Sequence, residues 1–252
     1  MNIVSWLQFP LYIVVLLILV KPLGSYMARV YRGERTFLSI AIDPIERFVL
    51  KIAGVNSNDE MTWKTYSLTV LLFNLVGFFF LYLLLRVQEV LPLNPQSLGS
   101  VSPQLAFNTA ISFVTNTNWQ SYGAETTMSY LSQMLGLGVQ NFLSAATGMT
   151  VLIALIRGLT RHTTNKLGSF WVDLIRSVLY ILLPLSIILA FLLVTQGVVQ
   201  SFEPAIISQT VDQTSGVVSQ TIPLGPAASQ VAIKQLGTNG GGFFNVKSAH
   251  PF

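Results

Sequence analysis

Four long apolar stretches dominate the hydropathy pattern. The first runs from Ile3 to Val20, interrupted by Pro10, and the second from about Tyr66 to Leu85, ending at Arg86. The third runs from Leu137 to Ile156, ending at Arg157; the fourth runs from Ser177 to Thr195, with Arg176 at its start and Pro184 inside. Each is close to the ~20 residues a helix needs to cross a bilayer, so the pattern predicts four transmembrane helices. No lysine or arginine precedes the first stretch and no small-residue cleavage site follows it. It is therefore expected to be a retained helix, not a signal peptide.

Two shorter apolar stretches lie between or after the spans. PQLAFNTAISFV is followed by the polar run TNTNWQSYGAETT, and PAASQVAIKQL by GTNGGGFFN. Both are too short to cross a membrane. A short helix followed by irregular polar backbone predicts a re-entrant loop, which survives at membrane depth only inside protein or along a watery cavity. The two stretches align without gaps at an offset of 122, which lays FNTAISFVTNTNWQSY over SQVAIKQLGTNGGGFF. Identity is slight, but the order is shared: short helix, small polar turn, aromatic. This predicts an internal repeat of the form span, pore helix, filter loop, span, whose second copy lacks its closing span.

Charge supplies an orientation. Eleven of the 14 basic residues lie in two connections: Lys21, Arg29, Arg32, Arg35, Arg47, Lys51 and Lys64 after the first span, and Arg157, Arg161, Lys166 and Arg176 around the start of the fourth. The positive-inside rule makes these segments cytoplasmic and puts the N-terminus and both polar loops outside. Amphipathic pieces such as PIERFVLKIAGV are expected to lie along the cytoplasmic face. Residues 205–226, rich in Ser, Thr and Gln, read as a plain outer loop. With 52% hydrophobic and only 10% charged residues, the composition is that of a membrane protein. There is no cysteine, hence no disulfide or thiolate metal site. No dense basic patch suggests nucleic-acid binding.

The candidate chemistry sits in the two polar loops. They are rich in Thr, Asn and Gly and carry no carboxylate at the turns. A monovalent cation stripped of water needs a cage of weak neutral dipoles, which backbone carbonyls and amide or hydroxyl oxygens supply; carboxylates would hold it too firmly or favour divalent ions. Glycine lets successive carbonyls turn toward one axis, and a pore helix ending at the loop aims its negative dipole end at a cation. These features favour potassium. A glycine triplet alone is more often a linker, but its position after a short apolar helix, and the second loop of the same form, argue for a filter.

Other candidates are weaker. GGFFNVKS resembles a phosphate-binding loop, but Val246 stands where the second glycine belongs and no strand precedes it. Gln140, Asn141, Ser144, Thr147 and Thr150 interrupt the third span and either line a vestibule or hydrogen-bond neighbouring helices. Asp173 and Arg176, three apart, are expected to pair with each other at a helix start. Glu125 either attracts cations or braces the loop through backbone amides. His162 and His250 have no partners at metal-ligand spacing. No residues suggest an enzyme active site.

TNTNWQSYGAETTMSYLSQMLGLGVQNFLSAATGM closely resembles the first filter and following helix of the bacterial potassium-transporting ATPase A subunit family, KdpA. LGTNGGGFFNVKSAHPF resembles its second filter, and KPLGSYMARVYRGERTF, PIERFVLKIAGV and EMTWKTY resemble its cytoplasmic stretches. The resemblance implies an all-α membrane protein with an extra N-terminal transmembrane helix and cytoplasmic segment (1–64), one complete span–pore helix–filter–span repeat (65–160), and the first part of a second (161–252).

The resemblance also implies a bacterial inner-membrane location and selection of K+ on the outer side. The ion would pass to the P-type ATPase subunit KdpB, in a complex with KdpC and the small KdpF. The subunit itself would hydrolyse no ATP and carry no organic cofactor. The filter positions carry over as Asn116, Thr117 and Asn118 in the first repeat and Thr238, Asn239 and Gly240 in the second. Thr115, Gly237, Gly241 and Gly242 are weaker supporting positions. The family has roughly ten spans in four repeats round one pore. A chain ending at Phe252 is therefore expected to be a fragment or half of a split subunit. The alternatives are a passive potassium channel or symporter subunit of the same superfamily, and a non-functional fragment of the subunit that still inserts in the membrane.

Overall fold

The computed structural model describes residues 3–211, 216 and 218–245. Four of its helical segments are long and apolar enough to cross a membrane. Helix α1 (Ile3–Arg32) continues past Pro10 and Pro22 and is 12 residues longer than the apolar stretch predicted, because the segment carrying Lys21, Arg29 and Arg32 is helical too. Its residues from Trp6 to Val20 are all exposed, so this helix offers water nothing and lipid everything. Among its described side chains, those buried against the bundle lie at its far end, where Val30 and Tyr31 meet Tyr180 and Ile181.

The amphipathic helix α2 (Ser39–Ile52) follows, then the second span α3 (Trp63–Val87), capped by the Thr62 hydroxyl accepting from the Thr65 N–H. The short helix α4 (Pro103–Val114) begins with proline in its first turn and leans on α3 through Ala106, Ala110, Phe113, Leu81 and Leu85. At ~1.5 Å per residue it is about 18 Å long, too short to span. A one-turn helix α5 (Ala124–Thr127) precedes the third span, which starts as a π-helical stretch, Ser132–Gly138, and continues as α6 (Val139–Thr160).

The fourth span comprises α7 (Phe170–Arg176), a π-helical stretch at Ser177–Leu182, and α8 (Leu183–Thr195). It starts seven residues before the predicted Ser177, since the charges taken as its boundary lie inside it. Asp173 and Arg176 do not pair with each other, as the sequence suggested. Asp173 binds both terminal nitrogens of Arg157, at 2.5 and 2.9 Å, and Arg176 binds Glu46 of α2 at 2.8 Å. Arg157 also donates to the Leu167 and Tyr31 carbonyls, and Asp173 accepts from the Tyr66 hydroxyl at 3.2 Å. One buried ion pair thus ties together α1, α3, α6 and α7 at the basic end of the bundle. Neutralised in this way, charge no longer marks where a helix must stop.

Between α8 and the last helix, Ile206–Gln209 (β1) and Ser219–Ile222 (β2) form an exposed antiparallel hairpin within the segment expected to be plain loop. Helix α9 (Ala227–Leu236) then repeats the part of α4 and packs on α8 and α6.

The approach to the first loop is held by Gln88, which is fully buried. Its nitrogen donates to the Gly99 and Thr127 carbonyls, both at 2.7 Å, and its oxygen accepts from the Ser129 N–H and the Ser132 hydroxyl. Gln88→Leu would strand all four partners. We expect it to destabilise the folded chain by about 2–3 kcal/mol, read as a lower thermal midpoint in detergent.

Candidate functional site

The two short helices end in the same way. After α4, the Thr115 N–H donates to Ile111, Asn116 to Phe113 and Thr117 to Ser112, at 3.0, 3.3 and 2.9 Å. After α9, Gly237 donates to Ile233, Thr238 to Gln235 and Asn239 to Lys234, at 2.9, 3.3 and 3.0 Å. Every donor and acceptor of the second set lies 122 residues after its counterpart. Asn116 and Thr238 both take left-handed backbone, at φ 59° and 55°. Asparagine tolerates this, whereas β-branched threonine is strained there, and such strain concentrates at functional sites.

The register parts after that. Asn118 is again left-handed, at φ 50°, but in the second loop the next left-handed residue is Gly241, at φ 70°. Gly240, expected to supply that freedom, does not use it. Glycine is required there for a different reason: a methyl group on Gly240 would stand 2.9 Å from the Thr117 carbonyl oxygen. The two loops abut at this point, backbone against backbone.

Side chains lock the loops to each other and to α6. The Asn239 amide nitrogen donates to the Asn116 side-chain oxygen and, at 3.3 Å, to Ser144 Oγ. Ser144 Oγ donates to that same Asn116 oxygen at 2.8 Å, and Asn116 Nδ2 donates to the Gly237 carbonyl at 3.3 Å. Asn118 Nδ2 donates to Asn141 Oδ1 at 2.5 Å. Further along, the Gly242 N–H donates to Gln120 Oε1 at 2.9 Å and the Asn245 N–H to Glu125 Oε2 at 2.7 Å. Glu125 therefore braces, and it braces the other loop. Thr115 and Thr117 share a hydroxyl contact at 3.1 Å and are exposed.

Of the α6 polar residues, Asn141 and Ser144 hold the loops, while the Thr147 and Thr150 hydroxyls bond carbonyls of their own helix. Gln120 and Lys234 also serve the loops but were not singled out from sequence. Lys234 had a visible signal, a lone charge within the short apolar helix. Among the described residues no cluster of three or more His, Asp or Glu could hold a metal ion. His162 is exposed; His250 and the Val246–Ser248 end of the phosphate-loop-like motif lie outside the described residues.

The arrangement suits a weakly coordinated cation. Two helix C-termini, the negative ends of their dipoles, converge on carbonyl-rich loops free of carboxylates at their turns. The side-chain oxygens of Asn118 and Asn239 are buried and accept no hydrogen bond among the described residues. An unpaired buried acceptor costs about 1–3 kcal/mol, which a cation stripped of its water would recover.

Residues 10–252 match the family model described as the potassium-transporting ATPase A subunit, KdpA. The chain is 62% identical over 250 residues to a protein of Sorangium cellulosum named potassium-transporting ATPase potassium-binding subunit, covering 97% of this chain and 43% of that protein. Proteins of the same name from Methylorubrum extorquens and Herpetosiphon aurantiacus are each 58% identical, over 100% and 98% of this chain and again 43% of their own length. The chain thus spans less than half the length of these relatives. Its four membrane-length helices, paired loops and match over nearly its whole length agree: this chain belongs to the potassium-transporting ATPase A subunit family.

Proposed function

We propose that this chain carries two of the loops of a potassium filter, in a subunit that selects K+ for an ATP-driven uptake pump. The observation that carries the reading is the loop geometry: three backbone hydrogen bonds repeat at an offset of 122, and each loop holds one buried asparagine side-chain oxygen, of Asn118 and Asn239, that accepts no hydrogen bond among the described residues. The filter residues are Asn116, Thr117 and Asn118 with Thr238, Asn239 and Gly240. Thr115, Gly237, Gly241 and Gly242 support them. Residues 65–160 form a complete repeat and 161–252 the opening of a second. The basic segments face the cytoplasm and the loops face outward across the inner membrane. K+ is cargo here. ATP is hydrolysed on the partner subunit KdpB, with KdpC and KdpF completing the complex.

The test is potassium-stimulated ATP hydrolysis in membranes containing the complete subunit and its partners. Asn118→Ala should raise the half-saturating K+ concentration by roughly tenfold, since it removes both a buried ligand oxygen and the bond to Asn141. Unchanged potassium dependence in that variant would exclude Asn118 from the filter. Uptake that persists without the ATPase partner would favour a passive channel instead.

A further inference from the structure

The two pore helices hold their loops by the same contact made with different side chains. Ser112 is 6% exposed, and its hydroxyl donates to the Trp119 carbonyl at 3.1 Å. At the offset of 122, Lys234 takes the place of Ser112 and Gly241 that of Trp119. Lys234 is 5% exposed, and its Nζ donates to the Gly241 carbonyl at 2.5 Å. The same two residues also grip the start of each loop. The Ser112 carbonyl accepts from Thr117 and Asn118, and the Lys234 carbonyl accepts from Asn239. Each loop is therefore tied twice to one helical residue, by its backbone at the near end and its side chain at the far end.

Lysine is almost never fully buried without a partner or a purpose, so its use here needs a reason. The second loop supplies one. Gly240, Gly241 and Gly242 have no side chains with which to brace themselves, and Gly241 sits in left-handed backbone. A long donor from the helix reaches across that gap. It also engages the Gly241 carbonyl, so this oxygen is turned to the helix and not offered to an ion. Gly240, one residue back, is the point where the second loop touches Thr117.

We propose that Lys234 is a positioning residue of the second filter loop. By fixing the Gly241 carbonyl it sets the left-handed turn at Gly241 and the approach of Gly240 to the first loop. Ion affinity and selectivity then depend on Lys234 although it does not touch the ion. The proposal rests on reading these loops as a potassium filter.

The experiment measures potassium- and rubidium-stimulated ATP hydrolysis by the assembled pump in membranes, with wild type, Lys234→Met, Lys234→Arg, Ser112→Ala and Asn118→Ala. Lys234→Met should raise the half-saturating K+ concentration by about tenfold and narrow the preference for K+ over Rb+, with the maximal rate within about twofold. Lys234→Arg, which keeps the donor, should stay within about threefold of wild type. Ser112→Ala should shift affinity by only about threefold, because a neutral bond is worth less than one from a charged donor.

Wild-type affinity in Lys234→Met overturns the proposal, as does an equal loss in the Met and Arg variants. Should Lys234→Met fail to assemble, Lys234→Gln must give an intermediate shift, and wild-type affinity there overturns it instead. If Asn118→Ala weakens affinity and Lys234→Met does not, only this proposal fails. If wild type shows no potassium stimulation, the filter reading fails with it.

Discussion

Gly240→Asp, introduced into the complete subunit, is expected to raise the half-saturating K+ concentration roughly 10- to 100-fold, equivalent to ~1.4–2.8 kcal/mol. Two effects add. The new Cβ would lie 2.9 Å from the Thr117 carbonyl oxygen, a backbone atom that can yield only by moving the first loop. The carboxylate then brings a fixed negative charge to a site built from neutral dipoles, and discrimination against similar ions should fall with affinity. Potassium- and rubidium-dependent ATP hydrolysis measures both. Gly99→Ala is the control, because no atom stands within 4 Å of a Cβ there. An affinity loss as large in the control would locate the effect in general fragility.

The second large effect is structural. Asp173→Ala should destabilise the assembled protein by about 3–5 kcal/mol, because it leaves the Arg157 guanidinium buried and uncompensated. The side chains are 15% and 2% exposed for Arg157 and Asp173, so the guanidinium left behind is only partly open to water. The measurement is the thermal midpoint and yield of the detergent-solubilised complex. Adding Arg157→Met to Asp173→Ala should recover part of the loss, since removing both charges removes the buried charge as well. No recovery in the double variant would mean that the contacts of Arg157 with Leu167 and Tyr31, not the ion pair, carry the stability.

These two sites differ in how far sequence alone revealed them. Hydropathy gave α4 directly, because Pro103 opens it and a polar run closes it; α9 was found the same way. The offset of 122 followed from laying one short helix over the other, and the backbone hydrogen bonds repeat at that offset. What sequence could not give was pairing across distance. Asp173 and Arg176 are neighbours on one helix turn, yet each finds a better partner on another element, which also moved the start of the fourth span back to Phe170. The resemblance marks Gly240 as a filter position, and backbone freedom is the general reason for glycine in such a loop, but what Gly240 needs is space beside Thr117, a contact between residues over 100 positions apart. The α6 residues Asn141 and Ser144 showed as polar interruptions, but not which loop atoms they would meet. The hairpin at 206–222 was missed because its exposed strands have no apolar alternation to announce them.

A filter of this kind requires a cation between the two loops. Thallium, a potassium surrogate with strong anomalous scattering, reports that directly in a structure of the complete subunit in its pump. Anomalous density is expected within coordination distance of oxygens contributed by Asn116–Asn118 and by Thr238–Gly240, and should be lost on adding excess K+. Density confined to other parts of the subunit, with these loops empty, would contradict the filter reading.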